Sequence, residues 1–80
     1  MEAPATLRSA ADEQEEISIT RRDYDDEDVL VVDFGPGVDA KLDQVGDTAI
    51  VIAGDEQFEF QVPEDASEVT TNDGMLIIRE

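Results

Sequence analysis

Short apolar runs separated by turn residues recur from Ile17 to Arg79, and they constrain the fold more than any other feature of the sequence. Alternation of apolar and polar residues is typical of strands that bury one face. The alternation is cleanest in Gln57-Phe-Glu-Phe-Gln-Val62. Gly, Pro, Asn and Asp at the breaks favour turns. We therefore expect an all-β fold, a small antiparallel β-sandwich of six to seven short strands without a convincing helix.

The predicted strands cover residues 17–22, 29–34, 41–45, 48–53, 57–62, 67–71 and 75–79. Three of these strands are apolar on both faces. Their second faces, predicted to lie opposite the core-facing residues, carry Val29 and Val31, Ala49 and Val51, and Met75 and Ile77. Such faces are either covered within the fold or left open for a partner.

The first sixteen residues differ in composition from the rest. They contain Pro4, scattered alanines and the acidic run Asp12-Glu-Gln-Glu-Glu16, and no apolar stripe repeats through them. We expect residues 1–16 to form a disordered acidic tail, with at most a frayed helical turn between Leu7 and Glu15. Residues 17–80 form the predicted β-sandwich domain.

Charge limits the possible partners and the working environment. The chain carries 22 Asp and Glu against 5 Lys and Arg, a formal net charge of −17. Self-repulsion of this size opposes a compact state, and about 1 M salt shortens the Debye length to about 3 Å. We interpret the charge as an adaptation to a salt-rich, halophilic cytoplasm. Binding to nucleic-acid phosphates or to an anionic membrane is disfavoured, and we predict neither as a partner.

Neither a secretion signal nor a membrane-spanning segment is recognisable in the sequence. The N-terminus lacks the basic and apolar regions of a signal peptide, and no apolar run approaches the roughly 20 residues that span a bilayer. We therefore expect a cytoplasmic protein.

Residue types that commonly support catalysis or metal binding are scarce. The chain has no Cys and no His, which removes thiolate nucleophiles, imidazole chemistry and the usual zinc ligands. The acidic run from Asp23 to Asp28 lacks the glycine of an EF-hand loop, so a solvated hairpin turn is favoured. Asp33 interrupts an apolar strand before Gly35, and we expect it to point outward or to cap that turn. We predict no enzyme activity, catalytic residue, metal or cofactor.

Three stretches in order resemble the alpha-crystallin domain of small heat-shock proteins. The first is Val29-Leu-Val-Val-Asp-Phe-Gly-Pro-Gly-Val-Asp39, similar to an apolar strand that closes in a Leu-Pro-Gly-Val-type turn. The second is Gly46-Asp-Thr-Ala-Ile-Val-Ile-Ala-Gly54. The third runs from Gln57-Phe-Glu-Phe-Gln-Val-Pro-Glu64 to Asn72-Asp-Gly-Met-Leu-Ile-Ile78. The resemblance implies an alpha-crystallin or immunoglobulin-like sandwich of a minimal, halophilic type.

The resemblance also implies a function in protein binding. In the family, a tail docks in a groove between two strands, and the matching positions here are Leu42, Val45, Val69 and Thr71. We therefore expect a chaperone-like domain that recognises extended or apolar segments of unfolding clients or protein partners.

Two departures from the family concern assembly. A tight turn replaces the long swap loop before Phe58, and no Ile-x-Ile tail follows Glu80. We thus expect a monomer or weak dimer and no large oligomer. An adaptor that binds one dedicated protein, and an acidic decoy of a nucleic-acid-binding protein, are the alternatives.

Overall fold

A computed structural model describes residues 2–80 and contains one helix followed by seven strands. The elements are α1 (Ala5–Glu13), β1 (Ser18–Tyr24), β2 (Glu27–Asp33), β3 (Ala40–Val45), β4 (Thr48–Ala53), β5 (Glu56–Gln61), β6 (Glu68–Asn72) and β7 (Met75–Arg79). The predicted all-β sandwich with short strands is confirmed. Within residues 2–80, no helix has the length and apolar character needed to cross a membrane.

Two antiparallel sheets form the sandwich. The four-stranded sheet has the order β1-β2-β7-β6, and the three-stranded sheet has the order β3-β4-β5. Strands β1 and β6 are therefore the edges of one sheet, and β3 and β5 are the edges of the other. Because β3 contacts β6, while α1 contacts both β5 and β1, the helix closes the side of the sandwich opposite to the β3–β6 side.

Alternate residues of the central strands fill the space between the sheets. Leu30 and Val32 of β2 pair with Ile78 and Leu76 of β7, and all four side chains are at most 1% exposed. From the other sheet, Val51 is fully buried beside Phe58. This arrangement follows from the period-two alternation of the strands, which places every second side chain on the core face.

The predicted second faces, opposite the core-facing residues, hold for two of the three strands. Val29 and Val31 lie opposite the core-facing Leu30 and Val32, and Ile77 lies beside Val31 on the same outer face. Val29 is only 5% exposed although it is not part of the core cluster. Its cross-strand neighbours on this face are arginines of β1 and β7, whose aliphatic stems are long enough to cover it.

The prediction for β4 is wrong, because Ala49 and Val51 face inward. Both have no exposed surface, whereas Ile52 is 45% exposed. Ala49 and Val51 are the cross-strand neighbours of Phe60 and Phe58. Small residues beside large rings fill the space between the sheets without excess volume, so the phenylalanines decide which face of β4 is buried.

The prediction of a disordered tail over residues 1–16 does not hold for Ala5–Glu13, which forms α1. Ala3, Leu7 and Ala10 face the sandwich, and Leu7 has no exposed surface. Leu7 and Ala10 are three residues apart in α1 and so lie on one side of the helix, whereas Ala3 precedes the N-cap residue Pro4. One leucine between two alanines is too weak a stripe to indicate a helix by itself, since short helices depend on tertiary packing. Met1 lies outside the described residues.

Candidate protein-binding surface

The neighbouring edge strands β3 and β6 carry most of the predicted groove. Leu42 lies beside the buried Val51, and Val69 and Thr71 lie beside the buried Ile78 and Leu76. Side chains paired across adjacent strands share a face, so all three point toward the space between the sheets. Each is half-buried, and Leu42 and Val69 pack against the core. We call Leu42, Val69 and Thr71 the β3–β6 cleft.

Val45, the fourth predicted groove residue, lies elsewhere. It is three residues from Leu42, and an odd spacing along a strand puts two side chains on opposite faces. Val45 lies beside Thr48 on the outer face of the three-stranded sheet and is 66% exposed. The structure therefore brings together three of the four predicted residues and separates Val45 from them.

The last residues of β7 hold the start of β6 in place. The Ser67 amide donates a 2.7 Å hydrogen bond to the carbonyl oxygen of Arg79. The Arg79 guanidinium reaches both neighbouring strands, with Nη1 2.7 Å from Glu27 Oε1 and Nε 3.3 Å from Glu68 Oε1. Hydrogen bonding to Glu27 and attraction to it and to Glu68 raise the pKa of Arg79 above its ordinary value. These contacts fix β6 as one wall of the β3–β6 cleft.

A protein-family model matches residues 1–80 and is described as a family of unknown function, DUF7127. The chain belongs to this family. The DUF7127 match includes α1 as well as the sandwich, so the helix and the strands belong to one family unit. No curated protein and no solved structure matches the chain.

In this DUF7127 chain, Asp33 has a local structural contact. Its Oδ1 atom accepts a 2.9 Å hydrogen bond from the Gly35 amide, and its side chain is exposed. This bond caps the turn after β2 and supports the interpretation of Asp33 as a turn residue. Among residues 2–80, no group of three or more Asp and Glu side chains is arranged to hold a metal ion.

The apolar side of α1 is not recognisable from the sequence pattern. Leu7 and Ala10 form this side, which lies against β5 and β1 of the DUF7127 sandwich, and Ala3 is buried just before the helix. The spacing of these three residues was the available signal, but alanine is too small to distinguish a buried face from a solvated one.

Proposed function

We propose that this DUF7127 domain is a chaperone-like module that binds an extended, apolar segment of another protein at the β3–β6 cleft. The carrying observation is that two sheet edges, β3 and β6, lie side by side with apolar residues between them, opposite the side closed by α1. An edge strand offers unpaired backbone N–H and C=O groups, to which an extended peptide adds as a further strand.

The side chains of the cleft favour a partner with alternating apolar residues. Leu42 and Val69 are half-buried, so part of each remains available for contact. A peptide strand beside them would direct every second side chain toward the cleft and the others toward solvent. Backbone pairing supplies affinity that is independent of sequence, and the apolar contacts select segments that a folded protein normally buries.

The resemblance to the alpha-crystallin domain supports the same location. It implied a groove between the strand of Leu42 and the strand of Val69, and these two strands, β3 and β6, are neighbours. The formal charge of −17 supports a salt-rich cytoplasm as the place of action. In that setting, an acidic surface keeps the complex with a partly unfolded client in solution.

An aggregation assay with two matched variants tests the proposal. Thr71 is half-buried and faces the β3–β6 cleft, whereas the adjacent Thr70 is exposed on the opposite face. Thr71→Lys and Thr70→Lys make the same chemical change on the two faces of one strand. Light scattering of a heat-denatured client in multimolar KCl should show protection by the wild type and by Thr70→Lys, and reduced protection by Thr71→Lys.

The outcomes of this assay separate the competing functions. Equal protection by both variants, with both folded by circular dichroism, would place client binding outside the cleft. Absence of protection by the wild type at equimolar ratio would contradict the chaperone function. Capture of one stoichiometric partner that Thr71→Lys no longer binds would instead support a dedicated adaptor that uses the same cleft.

A further inference from the structure

Helix α1 fills an apolar slot on the side of the sandwich between β5 and β1. Leu7 has no exposed surface, Ala10 is 5% exposed and Ala3 is 9% exposed, and all three belong to the core cluster. The helix contacts β5 and β1, the edge strands of the two different sheets. The slot therefore accepts one large aliphatic side chain between two small ones, in the pattern Ala-x3-Leu-x2-Ala.

Features within α1 do little to stabilise it. The helix has nine residues, and isolated helices shorter than about 12–15 residues are marginal in water. Pro4 at the N-cap makes no side-chain capping hydrogen bond, and the last turn has no basic residue. Instead, Asp12 and Glu13 lie near the negative end of the helix dipole, which disfavours carboxylates. Formation of α1 thus depends on docking in the slot.

Polar contacts at the end of α1 act in opposite directions. Gln14 Nε2 donates a 2.7 Å hydrogen bond to Glu56 Oε1 at an exposed position. Gln14 also lines a cavity of about 360 Å³ together with Glu16, Asp55 and Glu56. Glu16, which follows the helix, brings a like charge toward Asp55 and Glu56 and so opposes docking, whereas the Gln14 hydrogen bond and the burial of Leu7 favour it. Docking of α1 therefore depends on the Gln14–Glu56 hydrogen bond, on the burial of Leu7 and on the charges near the end of the helix.

We propose that this slot is a second protein-binding site, which takes α1 from another copy of this chain when its own helix leaves. The occupant follows from the slot itself, because residues 3–10 of a second copy, which include most of its α1, offer the same Ala-Leu-Ala pattern. Three residues, Gln14 to Glu16, connect α1 to Ile17 and β1. Exchange of an identical element across a short hinge forms a dimer whose contacts between copies are the same as those already made within one chain. The site lies on the opposite side of the sandwich from the β3–β6 cleft.

A labelled peptide of residues 2–16 serves as the probe, added to the full chain in multimolar KCl and followed by fluorescence anisotropy. In the wild type, the tethered helix competes at an effective concentration in the millimolar range, so binding should be weak. In a Leu7→Ala chain, the resident helix loses its main anchor, and the peptide should bind about 30-fold more tightly. A peptide that itself carries Leu7→Ala should not bind to either chain.

A second variant weakens the docking of α1 without changing a buried core residue. Gln14→Glu removes the hydrogen bond to Glu56 and adds a like charge there, so it should also tighten peptide binding. Gln44→Glu is the matched control, because it makes the same change at an exposed β-hairpin where Gln44 bonds to the Gly46 carbonyl oxygen. It should leave peptide binding unchanged.

The result that overturns the proposal is specific. If the peptide fails to bind to Gln14→Glu and to Leu7→Ala chains that retain the sheet signal in circular dichroism, α1 is a fixed part of the core. Equal tightening by Gln14→Glu and Gln44→Glu would also overturn it, since net charge alone would then explain the effect. A loss of protection from client aggregation at the β3–β6 cleft would not alter either outcome.

Discussion

The rings of Phe34 and Phe58 stack with their centroids 5.6 Å apart and their planes inclined by 19°. Phe34 directly follows β2 of the four-stranded sheet, and Phe58 lies in β5 of the three-stranded sheet. The pair therefore connects the two sheets directly. Both rings are buried, and the Phe34 amide donates a 3.2 Å hydrogen bond to the carbonyl oxygen of Gly74.

We expect the two rings to contribute to stability jointly. Offset aromatic pairs contribute about 0.5–1.5 kcal/mol beyond the area they bury. In urea unfolding at high salt, Phe34→Leu combined with Phe58→Leu should therefore cost less than the sum of the single substitutions, by about this coupling energy.

Phe60 provides the control for this double-mutant cycle of Phe34 and Phe58. It is also buried in β5, but it is two residues from Phe58 and is the cross-strand neighbour of Ala49. Phe34→Leu and Phe60→Leu should be additive within experimental error. Equal coupling in both cycles would mean that the effect comes from general loosening of the core and does not come from the stacked pair.

Gly74 at the β6–β7 turn should be far less tolerant of substitution than Gly46 at the β3–β4 turn. Both have positive φ, +79° and +58°, which L-residues rarely adopt. A Cβ atom at Gly74 would collide with the backbone carbonyl of Val38, whereas one at Gly46 would meet nothing within 4 Å. Gly46→Ala should cost about 1–2 kcal/mol in free energy of unfolding, and Gly74→Ala clearly more. Similar losses for the two would contradict the close approach of Val38.

The sequence predicted these turns and the strands around them, but it did not predict what lies against them. Asn72-Asp-Gly74 was recognisable as a hairpin turn, yet the contact of Gly74 with Val38 joins positions far apart in the chain. The same limit applies to β4, where both faces are apolar and only the phenylalanines of β5 decide the orientation. Local sequence patterns determine where the strands lie in the chain. Contacts between elements determine which face of a strand is buried and how α1 docks.

In the predicted groove, too, some features follow from local sequence patterns and others from contacts between elements. Val69 and Thr71 share a face because their spacing is even, which the sequence alone establishes. Their proximity to Leu42 depends on the packing of β3 against β6. The odd spacing between Leu42 and Val45 is enough to place Val45 on the other face of the strand, outside the groove. The resemblance to a known family suggested instead that Val45 belongs to it.

Removal of the Asp23 carboxylate from the β1–β2 hairpin should stabilise the fold. Asp23 and Asp28 are direct cross-strand neighbours, and a hydrogen bond that protonated Asp23 donates to Asp28, together with repulsion between the two, raises the pKa of Asp23 above its ordinary value. A carboxyl with a raised folded-state pKa disfavours folding once it is ionised. The unfavourable effect is thus present above the folded-state pKa and disappears as the pH falls through it.

Asp23→Asn should therefore raise the midpoint of thermal unfolding at neutral pH, and the gain should shrink in acid and at high salt. Asp25→Asn is the control, because it removes the same charge from the adjacent turn outside the paired strands. If both substitutions give the same gain at every pH, the benefit comes from lower net charge and the Asp23–Asp28 pair has no special role.

Salt should stabilise the whole sandwich mainly by screening. Exposed ion pairs among residues 2–80, such as Arg8 with Glu2 at 3.3 Å, contribute little to stability. They cannot offset a formal charge of −17. The free energy of unfolding by urea, a denaturant that adds no ions, should therefore rise with KCl. Most of the rise should occur below about 1 M KCl, because at that concentration the Debye length has already fallen to about 3 Å.

The shape of the salt dependence distinguishes screening from preferential exclusion of the salt. Excluded solutes such as sucrose strengthen apolar burial without screening charge, and their effect grows steadily with concentration. Sucrose should therefore fail to replace the first portion of KCl, and Asp23→Asn should reduce the amount of KCl needed for half of the rise. A fold equally stable without salt would contradict the assignment of the charge to a salt-rich environment. A linear rise that sucrose reproduces would show instead that burial of Leu7 and the other core residues, and not charge repulsion, limits the stability.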